Sequence, residues 1–315
     1  MMETNKNDII AYLKERQVFN CIKSIEPINV GASGAKLYII DDNNKKYVLK
    51  TAQILSNSDN SNWDLYKKEL KFYTLNKELK LTYIPNTVYS EIHDKYGIIL
   101  VMDYYKPIKH NQWDIRLQKQ AVDLCARFNS IGIDDISPLN LQCNKSVIDK
   151  PLTQKSYLDW KLVLSQHKGR FDESILDEIY EKIETVCHVL NNGPHYICHG
   201  DFHPENILYS KNQLYLCDFQ NICIGKGIGD ISFFISRGNG FGLNMNADDL
   251  IEYYCERLSK YKKTNIDKKI LLKEKHASTV LNIFSFWSYY LRDSPYERVA
   301  AQYNEMVYSY KCLLN

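Results

Sequence analysis

The chain has no Cys-x-x-Cys pair, no excess of charge of either sign and no long apolar run. Its nine cysteines are scattered at positions 21, 125, 143, 187, 198, 217, 223, 255 and 312. That scatter excludes zinc-knuckle and thioredoxin-type sites, and it fits reduced thiols in the cytoplasm. Forty Lys and Arg against 38 Asp and Glu leave a net charge of +2, so charge calls for neither a nucleic-acid partner nor a membrane surface. The longest apolar run, Ile98-Ile99-Leu100-Val101-Met102, falls far short of the roughly 20 residues a membrane-spanning helix needs. The segment up to Gln17 is polar and charged, which does not read as a secretory signal. Internal repeats and low-complexity tails are also lacking. What is present is 315 residues, 44% hydrophobic and 25% charged, enough for one large domain or two ordinary ones with a sizeable core.

Residues 8–20 read as a short opening helix. The pattern then changes to short strands at Ile25 to Val30, Ala35 to Ile40 and Tyr47 to Lys50, broken by Gly31-Ala32-Ser33-Gly34 and by Asp41-Asp42-Asn43-Asn44. Trp63, Tyr66, Leu70 and Tyr73 recur at helical spacing over 63–80. Strands follow at Thr87 to Ile92 and Tyr96 to Met102. Beyond Pro107 the chain reads as mainly helical: 115–130, 173–190, 247–261, 267–291 and 295–312, with a loop and small hairpin from Cys198 to Phe219. The expected class is α+β, with a small antiparallel β-sheet lobe over 1–105 and a larger helical lobe over 106–315. The cleft between lobes is where a pocket is expected.

The segment richest in chemistry is His199-Gly200-Asp201-Phe202-His203-Pro204-Glu205-Asn206, followed by Cys217-Asp218-Phe219-Gln220. Phosphoryl transfer from a nucleotide needs a carboxylate beside the attacking hydroxyl and oxygen ligands that hold magnesium on the phosphates. Asp201, Asn206 and Asp218, the last two separated by a hairpin over 207–216, supply that set. Turn capping is the plain alternative for such Asp and Asn residues, but it does not account for so many matched positions around a hairpin.

On these residues the chain resembles the aminoglycoside phosphotransferase and choline kinase superfamily of small-molecule kinases, which share a bilobal protein-kinase-like fold. The His-Gly-Asp-x-His-x-x-Asn loop is their version of the catalytic loop. The resemblance implies Asp201 as the catalytic carboxylate, Asn206 and Asp218 as magnesium ligands, and Gly31, Ser33 and Gly34 in a phosphate loop. It further implies Lys50 on the α- and β-phosphates with Glu69 as its anionic partner. Glu78 and Asp64 remain alternatives for that partner. The strand and hinge around Met102 and Tyr104 would hold the base of ATP or GTP. His199, His203 and Asp230 would support the loop. A long segment ending in Ala-Pro-Glu is missing, so a protein-substrate platform is not expected.

The acceptor site is expected from the segment after Asp230 and the last helices. A polyamine such as an aminoglycoside calls for carboxylates, here Asp248, Asp249, Glu252 and Glu256. A quaternary ammonium calls for aromatics, here Phe284, Trp287, Tyr289 and Tyr290. Core packing and helix-start charge are the plain readings of both sets. The resulting expectation is an ATP- and Mg2+-dependent kinase for a small-molecule hydroxyl, with an aminoglycoside-like antibiotic, and hence antibiotic resistance, favoured. The alternatives are a choline, ethanolamine or sugar kinase, a spore-coat-type relative, or a catalytically silent nucleotide-binding structural protein.

Overall fold

Period-two alternation in the first third of the chain closes into one antiparallel sheet. In the computed structural model, which describes residues 6–28, 34–43, 45–53, 61–141, 143 and 150–314, α1 (Lys6–Glu15) precedes β1 (Ile22–Ile28), β2 (Lys36–Asp42) and β3 (Lys45–Ala52). Then come α2 (Ser61–Leu79), β4 (Thr87–His93) and β5 (Gly97–Asp103). The strand order is β1-β2-β3-β5-β4. Ile98 to Met102, the longest apolar run, is buried throughout because β5 is a central strand with both faces covered. Ile99 and Val101 pack with Ile9, Ile10 and Leu13 of α1, whereas Ile98, Leu100 and Met102 pack with Phe72 and Tyr73 of α2. Lys50 lies opposite Leu100 in the β3–β5 register and shares its face, toward α2.

The second lobe begins after the short β6 (Lys106–Pro107). Its helices are α3 (Ile115–Asn129), α4 (Lys150–Ser165), α5 (Glu173–Glu181) and α6 (Ile183–Asn191). β7 (Tyr196–Cys198), β8 (Ile207–Ser210), β9 (Gln213–Leu216) and β10 (Cys223–Gly225) surround the predicted loop, with β10 paired to β7 and β6-β8-β9 forming a three-stranded sheet. α7 (Gly227–Gly240), α8 (Ala247–Lys262), α9 (Lys268–Asn282), α10 (Ser288–Leu291) and α11 (Tyr296–Leu314) complete the chain. One apolar core runs from the sheet through Phe72, Phe128, Phe219 and Ile231 into α8; a second joins Trp160, Ile179, Val280, Phe284 and Met306. The fold is α+β and bilobal, as expected. Among the described residues no helix is long and apolar enough to cross a membrane.

Three differences from the expected elements have physical causes. The helix expected over 173–190 breaks at Lys182, whose backbone leaves helical geometry at φ −100°, ψ 11°. The helix expected over 267–291 contains a wide π turn over Ile283–Trp287, which inserts an extra residue without ending the helical run. Neither α4 nor α7 is among the expected helices, and α7 carries four glycines. Two of them are contact points: a Cβ on Gly227 would collide with the Tyr254 hydroxyl, and one on Gly238 with the Met245 thioether. Tertiary packing on Ile228, Ile231 and Phe234 overrides the low helix propensity.

Candidate active site

β7 delivers the chain into the His199-Gly200-Asp201 turn, and Gly200 is obligatory there. Its φ is +78°, and a Cβ would collide with the Asn221 carbonyl oxygen. The turn is fastened by Asp230, in the first turn of α7. The Asp230 carboxylate accepts from His199 N at 2.8 Å, Gly200 N at 2.9 Å and Asn129 Nδ2 at 3.2 Å. Asn129 also donates to Ile197 O at 2.6 Å and receives the Tyr254 hydroxyl at 2.9 Å. Helices α3, α7 and α8 therefore converge on one buried polar hub beneath the loop. Burial pushes the Asp230 carboxyl up, against the pull of His199 and the backbone N–H donors.

His199 is fully buried. Its Nε2 donates to Cys217 O at 2.9 Å and its Nδ1 accepts from Asp201 N at 3.3 Å, which assigns the neutral tautomer with the proton on Nε2. Burial lowers the His199 pKa below the ordinary imidazole value. The unfolded chain therefore binds a proton that the native chain refuses as pH falls below about 6.5. His199 thus contributes a rise of stability with pH through that window, opposed by the raised carboxyl of Asp230, and His199→Gln should remove the His199 contribution. Equal slopes in urea melts at pH 5.5 and 7 for both proteins would overturn this assignment.

Asn206 closes the loop from the other side. Its Nδ2 donates to Asp201 O at 2.9 Å and to Asp201 Oδ2 at 3.3 Å. The short turn Pro204–Asn206 is capped by His203, whose Nδ1 accepts from Glu205 N at 3.3 Å, leaving Nε2 at 3.7 Å from Asp201 Oδ1. Burial pushes the Asp201 carboxyl up, but His203, His199 and Asn206 together outweigh it and hold it below the ordinary carboxylate range. The hairpin β8–β9 turns at Lys211 and Asn212, both at positive φ, and returns the chain so that Cys217 N donates to Asn206 O at 3.1 Å. Asp218 follows in left-handed geometry at φ 65°. Its Oδ1 lies 2.9 Å from Lys50 Nζ, and Glu69 Oε2 lies 2.7 Å from the same nitrogen. Burial opposes the Lys50 charge, but the two carboxylates outweigh it and hold the ammonium above its ordinary pKa. Glu78 is exposed and Asp64 pairs with Lys67 at 2.6 Å, so Glu69 is the acid of α2 at Lys50.

These groups line a cavity of about 1180 Å³ between the sheet and the second lobe. Leu37, Ile39 and Val48 form one apolar wall and Leu208 the opposite one; Met102 and Tyr104 edge it. That volume exceeds the roughly 300–1,000 Å³ of a single small-molecule pocket and leaves room for two reactants. Asp201, Glu69 and Asp218 share it with the buried Lys50 ammonium. With Asn206 Nδ2 committed to Asp201, Asn206 Oδ1 and Asp218 Oδ2 are hard oxygen donors that could meet a divalent cation. Among the described residues no cluster of three or more His, Cys, Asp or Glu side chains forms a metal cage. Two protein oxygens fit magnesium, which takes its other ligands from phosphate and water.

Gly31 and Ser33 lie outside the described residues; Gly34 follows them at φ +82°. The acids expected at the acceptor site do not reach the cavity. Asp248 and Asp249 begin α8, where Asn246 caps their N–H groups, and Glu252 pairs with Lys268 at 3.0 Å. Asp249, Glu252 and Glu256 line a separate shallow hollow of about 190 Å³ with Lys119 and Tyr253. Phe284 is core; Trp287 bonds Asn282 at 3.2 Å, and Tyr289 and Tyr290 are exposed, none of them at the cavity. The open end is lined instead by His110, Asn111, Glu205, Phe233 and Arg237. Phe233 and Arg237 lie one turn apart on α7, so they were hidden with the helix that carries them; Glu205 sat inside the motif but carried no signal of its own.

The sequence pattern of the ecdysteroid kinase-like family (EcKL) matches residues 146–265. Protein LicA of Haemophilus influenzae (strain ATCC 51907 / DSM 11121 / KW20 / Rd) is 29% identical over 120 residues, covering 38% of this chain and 42% of that protein. A second Haemophilus influenzae Protein LicA matches equally over 33% of its length, so the chain spans less than half of these curated relatives. Among solved structures, the ADP-bound aminoglycoside phosphotransferase APH(2'')-Ib superposes with a TM-score of 0.56 at 19% identity, covering 98% of this chain and 99% of that one. Choline kinase from Cryptosporidium parvum Iowa II gives a TM-score of 0.61 at 11% identity, over 98% and 95%. Spectinomycin phosphotransferase APH(9)-Ia, in complex with ADP and spectinomycin, gives 0.56 at 14%, over 99% and 98%. The chain has the protein-kinase-like fold of the small-molecule kinases, the superfamily that its catalytic-loop motif resembles.

Proposed function

We propose that this protein is a cytoplasmic phosphotransferase that moves the terminal phosphoryl group of ATP or GTP, with Mg2+, to a hydroxyl of a small molecule. The observation that carries the reading is the convergence of Lys50, Asp201, Asn206 and Asp218 on one cavity. Structures of similar fold hold ADP or GDP. In this reading residues 1–105 hold the nucleotide and 106–315 supply the catalytic loop and acceptor site. Lys50, fixed by Glu69, engages the α- and β-phosphates. Asn206 and Asp218 hold the metal, which when bound draws charge off the phosphate oxygens. Asp201, kept anionic, orients the acceptor hydroxyl. The hydroxyl oxygen attacks the terminal phosphorus, the bond to the departing diphosphate breaks, and Asp201 accepts the proton late. The intact set argues against a silent structural protein.

For the acceptor, the sequence favours an aminoglycoside-like antibiotic. One observation favours the alternative, choline, ethanolamine or a sugar. The cavity's carboxylates are already engaged: Asp103 with Lys45 at 2.8 Å, Glu69 and Asp218 with Lys50, and Glu205 with Arg237 at 3.5 Å. Asp201 is reserved for the hydroxyl. A polycation would have to break pairs to bind, whereas a neutral or singly charged acceptor would not.

Saturating Mg-ATP should raise the unfolding free energy by about 2.7 kcal/mol at one hundred times Kd, and ATP without magnesium should do much less. A melting curve indifferent to Mg-ATP would sink the proposal. An ATP-consumption screen across aminoglycosides, choline, ethanolamine and sugars then chooses the acceptor. Turnover of an aminoglycoside alone would overturn the preference for a weakly charged acceptor.

A further inference from the structure

Cys198 and Cys223 face each other across the β7–β10 ladder, with register Cys223↔Cys198, Ile224↔Ile197 and Gly225↔Tyr196. Both are free thiols, Cys198 buried and Cys223 half-buried. Directly opposed residues of an antiparallel pair have Cα atoms about 4.5 or 5.5 Å apart. Both values fall inside the roughly 4.4–6.8 Å window of a disulfide. Side chains alternate along a strand, so the two cysteines share one face and Ile197 and Ile224 the other. Cys143 bridges to Ile224 and so belongs to the opposite face. The other nearby thiol, Cys125, is 1% exposed and donates to Asn129 Oδ1 at 3.3 Å.

The pair sits where it can act on the site. Cys198 is followed at once by His199-Gly200-Asp201. Cys223 comes two residues after Asn221, which lines the cavity and whose carbonyl packs against Gly200. Opposed Cβ atoms start about 4.5–5.5 Å apart, and a disulfide wants about 3.5–4.5 Å. Bond formation must therefore draw the strands together at the end that holds the loop.

We propose that Cys198 and Cys223 are an oxidative modification site: a hydroperoxide joins them in a reversible disulfide that loosens the His199–Asp201 turn. Cys223, the more accessible thiol, attacks the peroxide oxygen, giving Cys223 sulfenic acid and one water. The Cys198 sulfur then displaces hydroxide from that sulfur, forming the S–S bond and a second water. Two thiols lose two electrons and two protons, and hydrogen peroxide is reduced to two waters.

The test needs neither nucleotide nor acceptor, so its failure is separate from that of the kinase reading. The full chain is treated with hydrogen peroxide, and thiols are counted and mapped without reduction. Two of the nine thiols should be lost, and fragment spectra should link Cys198 to Cys223, distinguished from Cys187 and Cys217 on the same tryptic peptides. Dithiothreitol should reverse the link, and Cys223→Ser should abolish it. Hydrogen exchange at His199 N and Gly200 N should speed up in the oxidised wild type and recover on reduction. A Cys125–Cys198 link, or Cys223 overoxidised with Cys198 still free, overturns the pairing. A mapped bond with unchanged exchange at 199–201 overturns its action on the loop.

Discussion

Asp201→Asn is expected to cut turnover by ~10²–10⁴-fold while leaving Mg-nucleotide affinity close to that of the parent, if carboxylate assistance to the hydroxyl is its role. Its backbone oxygen, not its side chain, makes the shorter of the two bonds from Asn206 (2.9 against 3.3 Å), so the loop should keep its shape. Asp218→Asn should do the opposite. It removes a charged oxygen from the proposed metal site and one of the two anionic partners of Lys50, 2.9 Å away. Nucleotide Kd should rise sharply, and the magnesium dependence of binding should weaken. Calorimetry with a non-hydrolysable analogue reads both. Equal loss of affinity in the two variants would show the roles to be misassigned.

That contrast rests on a part of the molecule the sequence states well. The offsets among Asp201, Asn206 and Asp218 work because a hairpin with a two-residue turn has a fixed length: once Lys211 and Asn212 turn, Asp218 must come back beside Asn206. The strands of the first lobe were legible for a similar reason, since period-two burial and turn residues are local signals. The partner of Lys50 was narrowed to three acids on one helix, and helix phase decided it. Glu69 shares a face with Phe72 and Tyr73, which pack on the sheet. The end of the cavity lined by His110, Phe233 and Arg237 was not legible. Charge density marks α8, but acids at a helix start answer to their own N–H groups before any ligand. The wall that does face the cavity comes from α7, whose glycines conceal a helix held by burial of Ile228, Ile231 and Phe234, with Tyr254, Asn129 and Met245 filling the spaces beside Gly227 and Gly238. A single sequence carries no record of such contacts.

The same hub beneath the loop predicts the largest stability effect. Asp230→Ala removes the acceptor of three donors at once: His199 N, Gly200 N and Asn129 Nδ2. All belong to residues at or near full burial or to the tight turn itself, so water does not readily replace the carboxylate. Each buried donor left unpaired costs about 1–3 kcal/mol, offset in part because the substitution also removes a carboxylate that was costly to bury. A loss of roughly 3–5 kcal/mol is expected, a large share of the ~5–15 kcal/mol typical of a folded domain. Asp230→Asn keeps one accepting oxygen but turns an NH2 toward a backbone N–H, so it should also destabilise, by less. Denaturant midpoints at unchanged m separate this from a change in the unfolded state. Because Asn129 bridges Asp230 to Ile197 and Tyr254, Asn129→Ala combined with Asp230→Ala should cost less than the sum of the single losses. Strict additivity would mean that the two side chains act independently, and an Asp230→Ala variant within about 1 kcal/mol of the parent would remove the hub as the loop's anchor.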